Sequence, residues 1–63
     1  MKFNGHDVDD QPQALSEFLV SHDVLRAGVA VAVNGDIIPR SQWTTTWLAA
    51  DAVIEVVTAA AGG

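Results

Sequence analysis

At 63 residues the chain has room for one domain, and a fold of that size buries only roughly 60% of the surface its unfolded chain exposes. There is no cysteine, so disulfides, thiolate nucleophiles and thiolate metal ligands are excluded, and stability rests on an apolar fraction of 49% that is mostly Ala and Val. Eight carboxylates against Lys2, Arg26 and Arg40 give a net charge of −5, which leaves no basic footprint for nucleic acid.

The acidity has two readings. It keeps a small domain soluble, or it draws the protein to a basic patch on a partner. The longest apolar run, Gly28 to Val33, is far short of the roughly 20 residues of a membrane span. Met1 to Gly5 offers no apolar region of signal-peptide length. A cytoplasmic location is the default expectation, with no membrane partner.

In chain order, Met1 to Phe3 reads as a short strand and Asn4-Gly5 as a hairpin turn. His6 to Asp9 is the returning strand, with Val8 pointing inward. Gln11-Pro12-Gln13 is expected to open a helix, because proline is tolerated in a first turn. Asp9 and Asp10 sit where the helix dipole favours negative charge. Leu15, Phe18, Leu19 and His22 follow the i, i+3, i+4, i+7 spacing of one buried stripe, with Ser16, Glu17 and Ser21 on the wet side. The helix fades near Asp23, and Gly28 punctuates the loop after it.

Val29, Val31 and Val33 alternate with Ala30 and Ala32, which is strand periodicity. The small alanines leave the alternate face open to close packing. Asn34-Gly35 is the stronger turn signal, Ile37-Ile38 begin the return, and Pro39 ends ladder pairing. Arg40 to Thr46 reads as an irregular or short helical connection. Ile54 to Thr58 is the last strand, with Ile54 and Val56 inward. Residues 1–58 make the domain, and residues 59–63 are expected to be a flexible tail ending in Gly62-Gly63. One helix crossing between hairpins over a mixed sheet of about four to five strands fits an α+β, β-grasp (ubiquitin-like) architecture. Leu15, Phe18, Leu19, Val31, Ile54 and Val56 are the expected shared core.

The chemistry points to the tail. Terminal glycines are either frayed ends or the thin leader of a carboxylate that enters another protein's active site, where the lack of a Cβ permits close approach. The segment from Val29 through Asn34-Gly35 and Pro39-Arg40-Ser41 to Trp43 bears on that choice. It resembles the ThiS family of sulfur carriers, whose members run V-A-V-A-[VL]-N-G-x-[IV]-[IV]-P-R-S-x-W. They continue to a last strand of the V-E-[IV]-V kind and end in Gly-Gly. Ile54-Glu55-Val56-Val57 and Gly62-Gly63 take those places here. The first strand is about two residues shorter than is usual in the family. Ala50-Asp51-Ala52 stands where a glycine turn is usual, so a positive-φ turn there would be costly. Trp47 has no counterpart in the family pattern.

The resemblance implies a protein co-substrate rather than an enzyme. A ThiF-type activating enzyme would adenylate the Gly63 carboxylate with ATP and Mg²⁺, and sulfur from a donor protein would displace AMP to give a thiocarboxylate. A ThiG-type thiazole synthase would then receive the sulfur for thiamine. Gly62 is needed for access of the tail, and the chain itself binds no cofactor. Other carriers share the tail, among them the small subunit of molybdopterin synthase and carriers for cysteine or siderophore assembly. Two further classes remain at this point: a ubiquitin-like modifier bonded to lysine, and an interaction module that uses a sheet edge or its Val/Ala face.

The remaining polar residues read as structural. His22 is expected to be partly buried, and two distant histidines without cysteine do not make a zinc site, so no metal is expected. Asp7, Asp9 and Asp10 read as a solvated turn. Ser16 and Ser41 lack a histidine to activate them. Trp43 is expected to plug one end of the core, with its N–H needing a partner. Arg40 either pairs a nearby acid or contacts the activating partner.

Overall fold

The computed structural model describes residues 1–58. The expected tail, with Gly62 and Gly63, lies outside the described residues. Two hairpins are laid down locally. In the first, strands β1 (Lys2–Phe3) and β2 (His6–Asp7) pair antiparallel around Asn4-Gly5. In the second, β4 (Val29–Val33) pairs with β5 (Asp36–Ile37) around Asn34-Gly35. Both asparagines and both glycines have positive φ, the conformation that short hairpin loops require and that Asn-Gly reaches at least cost.

Between the hairpins run β3 (Gln13–Ala14) and helix α1 (Leu15–Ser21). After the second come a 3₁₀ turn at Arg40–Gln42, β6 (Trp47–Leu48) and β7 (Val53–Thr58). β7 is the middle of a five-stranded sheet ordered β2-β1-β7-β4-β5, parallel to β1 and antiparallel to β4. One helix covers one face of this mixed sheet, the β-grasp arrangement expected from the element order. A second, two-stranded ladder joins β3 to β6.

The core beneath the sheet holds Leu15, Phe18, Leu19, Val31 and Ile54, as expected. Val33, Trp43, Leu48 and Ala52 are buried with them, and Val56 and Val8 pack against them half-buried. The helical stripe from Leu15 to Leu19 thus meets the inward valines of β4 and the inward Ile54 of β7.

Three expectations are corrected. The helix begins at Leu15 rather than at Gln11 to Gln13. Gln13 and Ala14 are instead extended and paired with β6, and the first helical N–H groups find acceptors outside the helix. The Leu15 N–H donates to the Thr46 carbonyl at 2.8 Å and the Ser16 N–H to the Trp43 carbonyl at 3.0 Å. Helix N–H groups without internal partners are thereby satisfied from the connection that follows β5. At its other end the helix closes as expected near Asp23, which takes a positive φ of 59°. The Val24 N–H reaches back to the Leu19 carbonyl at 2.9 Å and the Asp23 N–H to Val20 at 3.0 Å, a Schellman closure with Asp at the position glycine usually fills.

The second correction is the Ala50-Asp51-Ala52 turn. It carries no positive φ, so the absence of glycine costs nothing there. The Ala52 N–H closes it on the Ala49 carbonyl at 3.0 Å, and Ala52 itself is buried.

The third is the acidic group. Asp10 is half-buried rather than solvated, and both its carboxylate oxygens lie within 3.0 Å of His22 Nε2. The His22 ring stacks on Phe18 at 4.2 Å and lies 5.1 Å from Phe3. This pair ties the segment before β3 to the end of α1. Asp7 pairs with Lys2 at 3.3 Å on the surface.

Candidate functional site

Strand β7 is the last described element before the C-terminal residues, and its sequence sets what each face presents. Ile54 and Val56 point to the core. Val53, Glu55 and Val57 point the other way, and the ladders place Ala30 opposite Val57, Ala32 opposite Glu55, and Ile37 opposite Ala32. The outer face is therefore apolar across three strands. Ile37 is 73% exposed and Val57 62% exposed, with the Glu55 carboxylate in their midst and the Lys2–Asp7 pair at the edge beyond Val53. Polar surface is the norm for an uncovered sheet face, and contiguous apolar surface on a small monomer marks a place for a partner.

Where β7 ends, an open groove is lined by Asn4, Val24, Arg26, Val29, Val56 and Thr58. Arg26 Nη2 donates to the Asp23 carboxylate at 3.4 Å and to the Asp23 carbonyl at 3.0 Å. Arg40, expected either to pair an acid or to meet a partner, forms no ion pair among the described residues. Its guanidinium lies 4.9 Å over the Trp43 ring, and Nη1 donates to the Arg26 carbonyl at 3.3 Å. The Arg40 side chain thus reaches the backbone of Arg26, and both arginines are exposed.

The Pro39-Arg40-Ser41-Gln42-Trp43 stretch is a structural device. Pro39 precedes the 3₁₀ turn, which rotates Trp43 beneath the sheet. Trp43 is 4% exposed, and its Nε1–H donates to the Ile38 carbonyl at 2.9 Å, the partner the sequence required. Gly62 and Gly63 lie outside the described residues. Among the described residues no group of three or more His, Cys, Asp or Glu could hold a metal ion, and no helix is long and apolar enough to cross a membrane.

Sequence reasoning missed the role of the two turn asparagines. Both were read as turn formers alone, yet both side chains bind β7. Asn34 Oδ1 accepts from the Val53 N–H at 2.9 Å. Asn4 Oδ1 accepts from the Val56 N–H at 2.8 Å, and its Nδ2 donates to the Val56 carbonyl at 3.2 Å. The available signal was the choice of Asn over Asp or Gly before both glycines.

Comparison with known proteins agrees with this architecture. The family model described as the ThiS family matches residues 1–63. Among solved structures, the chain is similar to a thiamine biosynthesis protein (ThiS) from Geobacter metallireducens, at 26% identity and a TM-score of 0.82. That match covers 98% of this chain and 96% of the other. No curated protein sequence matches the chain.

Proposed function

Because this chain belongs to the ThiS family, we propose that it is a sulfur carrier of thiamine biosynthesis whose working group is the Gly63 carboxylate. The observation that carries the reading is the family match across the whole chain, which takes in both the Asn34-to-Trp43 segment and the Gly62-Gly63 end. The likeness to a thiamine biosynthesis protein over nearly all of both chains supports it further.

The free carboxylate, with a reference pKa of about 3.5, is ionised and repels nucleophiles. A ThiF-type activating enzyme transfers AMP from Mg²⁺-bound ATP to it and releases pyrophosphate. The resulting acyl adenylate has a good leaving group. Sulfide-level sulfur (HS⁻) released by a donor protein attacks the Gly63 carbonyl carbon, its proton is lost, AMP departs, and a thiocarboxylate forms. That group is ionised and nucleophilic at neutral pH, and a ThiG-type thiazole synthase receives it. The carrier supplies no base and no metal, so it acts as a co-substrate. The apolar outer face gives the activating enzyme a surface to hold, and the net charge of −5 speeds the encounter with a basic one.

The test is the length of the tail. One residue added after Gly63, or Gly63 removed, shifts the carboxylate by roughly 3.3–3.6 Å. Misplacement by 1 Å alone costs a well-oriented reaction about a hundredfold. ATP–pyrophosphate exchange with the activating enzyme, and the replacement of one oxygen by sulfur in the intact mass, should both be abolished while the fold is kept. An extended protein adenylated and thiolated as fast as the native one sinks the proposal. A bond to lysine in place of the thiocarboxylate would identify a modifier.

A further inference from the structure

We infer that Asn4 is a positioning residue for the reacting tail. Its side-chain amide completes the parallel ladder at Val56 and so fixes the end of β7, the strand that leads to Gly63. This rests on the reading that Gly63 is the reacting end.

The ladder itself makes the case. Val31 and Val56 are partners in the β4–β7 register. The Val31 carbonyl accepts from the Ile38 N–H at 2.9 Å, so the polar groups of Val31 face β5. In an antiparallel pair of this kind the polar groups of the partner face away as well, and those of Val56 therefore point toward β1. The backbone of β1 does not reach them. Its last rung is the Asn4 N–H to the Ile54 carbonyl at 2.9 Å, after which Asn4 (φ 49°) and Gly5 (φ 84°) turn the chain away.

The Asn4 side chain fills the gap. A primary amide offers one carbonyl oxygen and an N–H donor, the same pair that a peptide unit offers to a strand. The bonds of 2.8 and 3.2 Å to Val56 make it the next residue of β1 in all but covalent terms. Asparagine is also among the few residues other than glycine that enter the positive-φ region readily. The turn and the clamp thus demand the same residue at the same place. Without the side chain, the last residue of β7 bonded on the β1 side moves from Val56 back to Ile54, and only β4 holds the strand beyond it. The end of β7 is then less firmly held, and positioning is what such a reaction depends on most.

The molecule contains its own control. Asn34 has nearly the same φ, 51°, and it too binds β7, through its N–H to the Val53 carbonyl at 2.8 Å and its Oδ1 to the Val53 N–H at 2.9 Å. It holds the strand at the end remote from the tail. A contribution to stability alone would make any loss of rate follow the loss of melting temperature at both sites, two side-chain bonds being lost at Asn4 and one at Asn34. A contribution to positioning separates them.

The experiment compares Asn4→Gly with Asn34→Gly, since glycine removes the clamp without strain at positive φ. ATP–pyrophosphate exchange is measured with the activating enzyme, together with hydrogen exchange at the Val56 amide. For Asn4→Gly, kcat should fall about threefold to tenfold with KM for the carrier within about twofold. The Val56 amide should exchange on the order of tenfold faster. Asn34→Gly should leave kcat within about twofold at a comparable loss of melting temperature. Asn4→Asp keeps the acceptor for the Val56 N–H and loses the donor, so it should fall between, and it serves if the glycine variant does not fold. Equal kcat losses at the two sites, or an unchanged Val56 amide, overturn the inference. A native chain that supports no exchange at all overturns the sulfur-carrier reading, and the positioning role with it.

Discussion

Strand β4 alternates Val with Ala, and β7 sets Ile54 and Val56 against Val53, Glu55 and Val57, so the two sheet faces differ more in side-chain size and cover than in polarity. Beneath the inner face, Leu15, Phe18 and Leu19 of the helix meet Val31, Val33 and Ile54, all buried. Among the described residues nothing lies over the outer face, though Ile37, Val53 and Val57 are as apolar as their inner counterparts and exposed. The difference teaches that hydrophobicity alone did not choose the core of this chain. The helix did, by covering one side, and the small Ala30 and Ala32 left the other side shallow and open. The two tryptophans repeat the contrast: Trp43 is 4% exposed and bonded, whereas Trp47 is 66% exposed.

Substitutions on the two sides should therefore act on different quantities. Phe18→Ala removes the ring that packs edge-on to Phe3 at 5.3 Å and stacks under His22 at 4.2 Å. It should cost about 3–5 kcal/mol, enough to unfold so small a domain; a native melting curve would show that the helix does not define the inner face. Trp43→Phe keeps most of the volume but leaves the Ile38 carbonyl without its donor and Arg40 without its indole. The expected loss is about 1–3 kcal/mol by urea unfolding, and a loss below about 0.5 kcal/mol would place Trp43 among the exposed side chains in energetic terms. Ile37→Ser, on the open face, should change stability by no more than about 0.5 kcal/mol while raising the KM of the carrier for its activating enzyme. An unchanged KM would mean that the outer face meets no partner. The smallest expected effect is that of salt, which should slow association with the activating enzyme; a rate flat with ionic strength would leave the net charge as a solubility feature alone.

What could be read from sequence was what neighbours decide. The Val-Ala alternation, both Asn-Gly turns and the Leu15-Phe18-Leu19 stripe are local patterns with local causes, and all appear in place. Trp43 was legible because an indole N–H under a core demands an acceptor. The helix start was not, because the groups that satisfy Leu15 and Ser16 come from Trp43 and Thr46, far along the chain. Strand β6 was missed for the same reason: two residues carry no period, and only pairing with Gln13 and Ala14 makes them a strand. The Asn4 clamp joins side chain to strand across nearly the whole chain. As for the site, the proposed reacting end was named from Gly62-Gly63 and the family resemblance, and an open Val/Ala face was read from β4, but its extent over Ile37, Glu55 and Val57 emerged only once the three strands were seen in register.

The place of β7 at the middle of the sheet also governs how the molecule comes into being. Its neighbours β1 and β4 are separate hairpins with no ladder between them until the last-made strand slides in. During synthesis, then, neither hairpin has the third strand that marginal two-stranded ribbons need. Closure joins opposite ends of the chain, the kind of non-local pairing that slows folding. A ribosome still holding residues 53–58 holds an unfinished protein, and a product cut short before Val53 has no sheet to fold around. The sheet thus closes only in chains that have been read to their last strand, a check of completeness built into the topology.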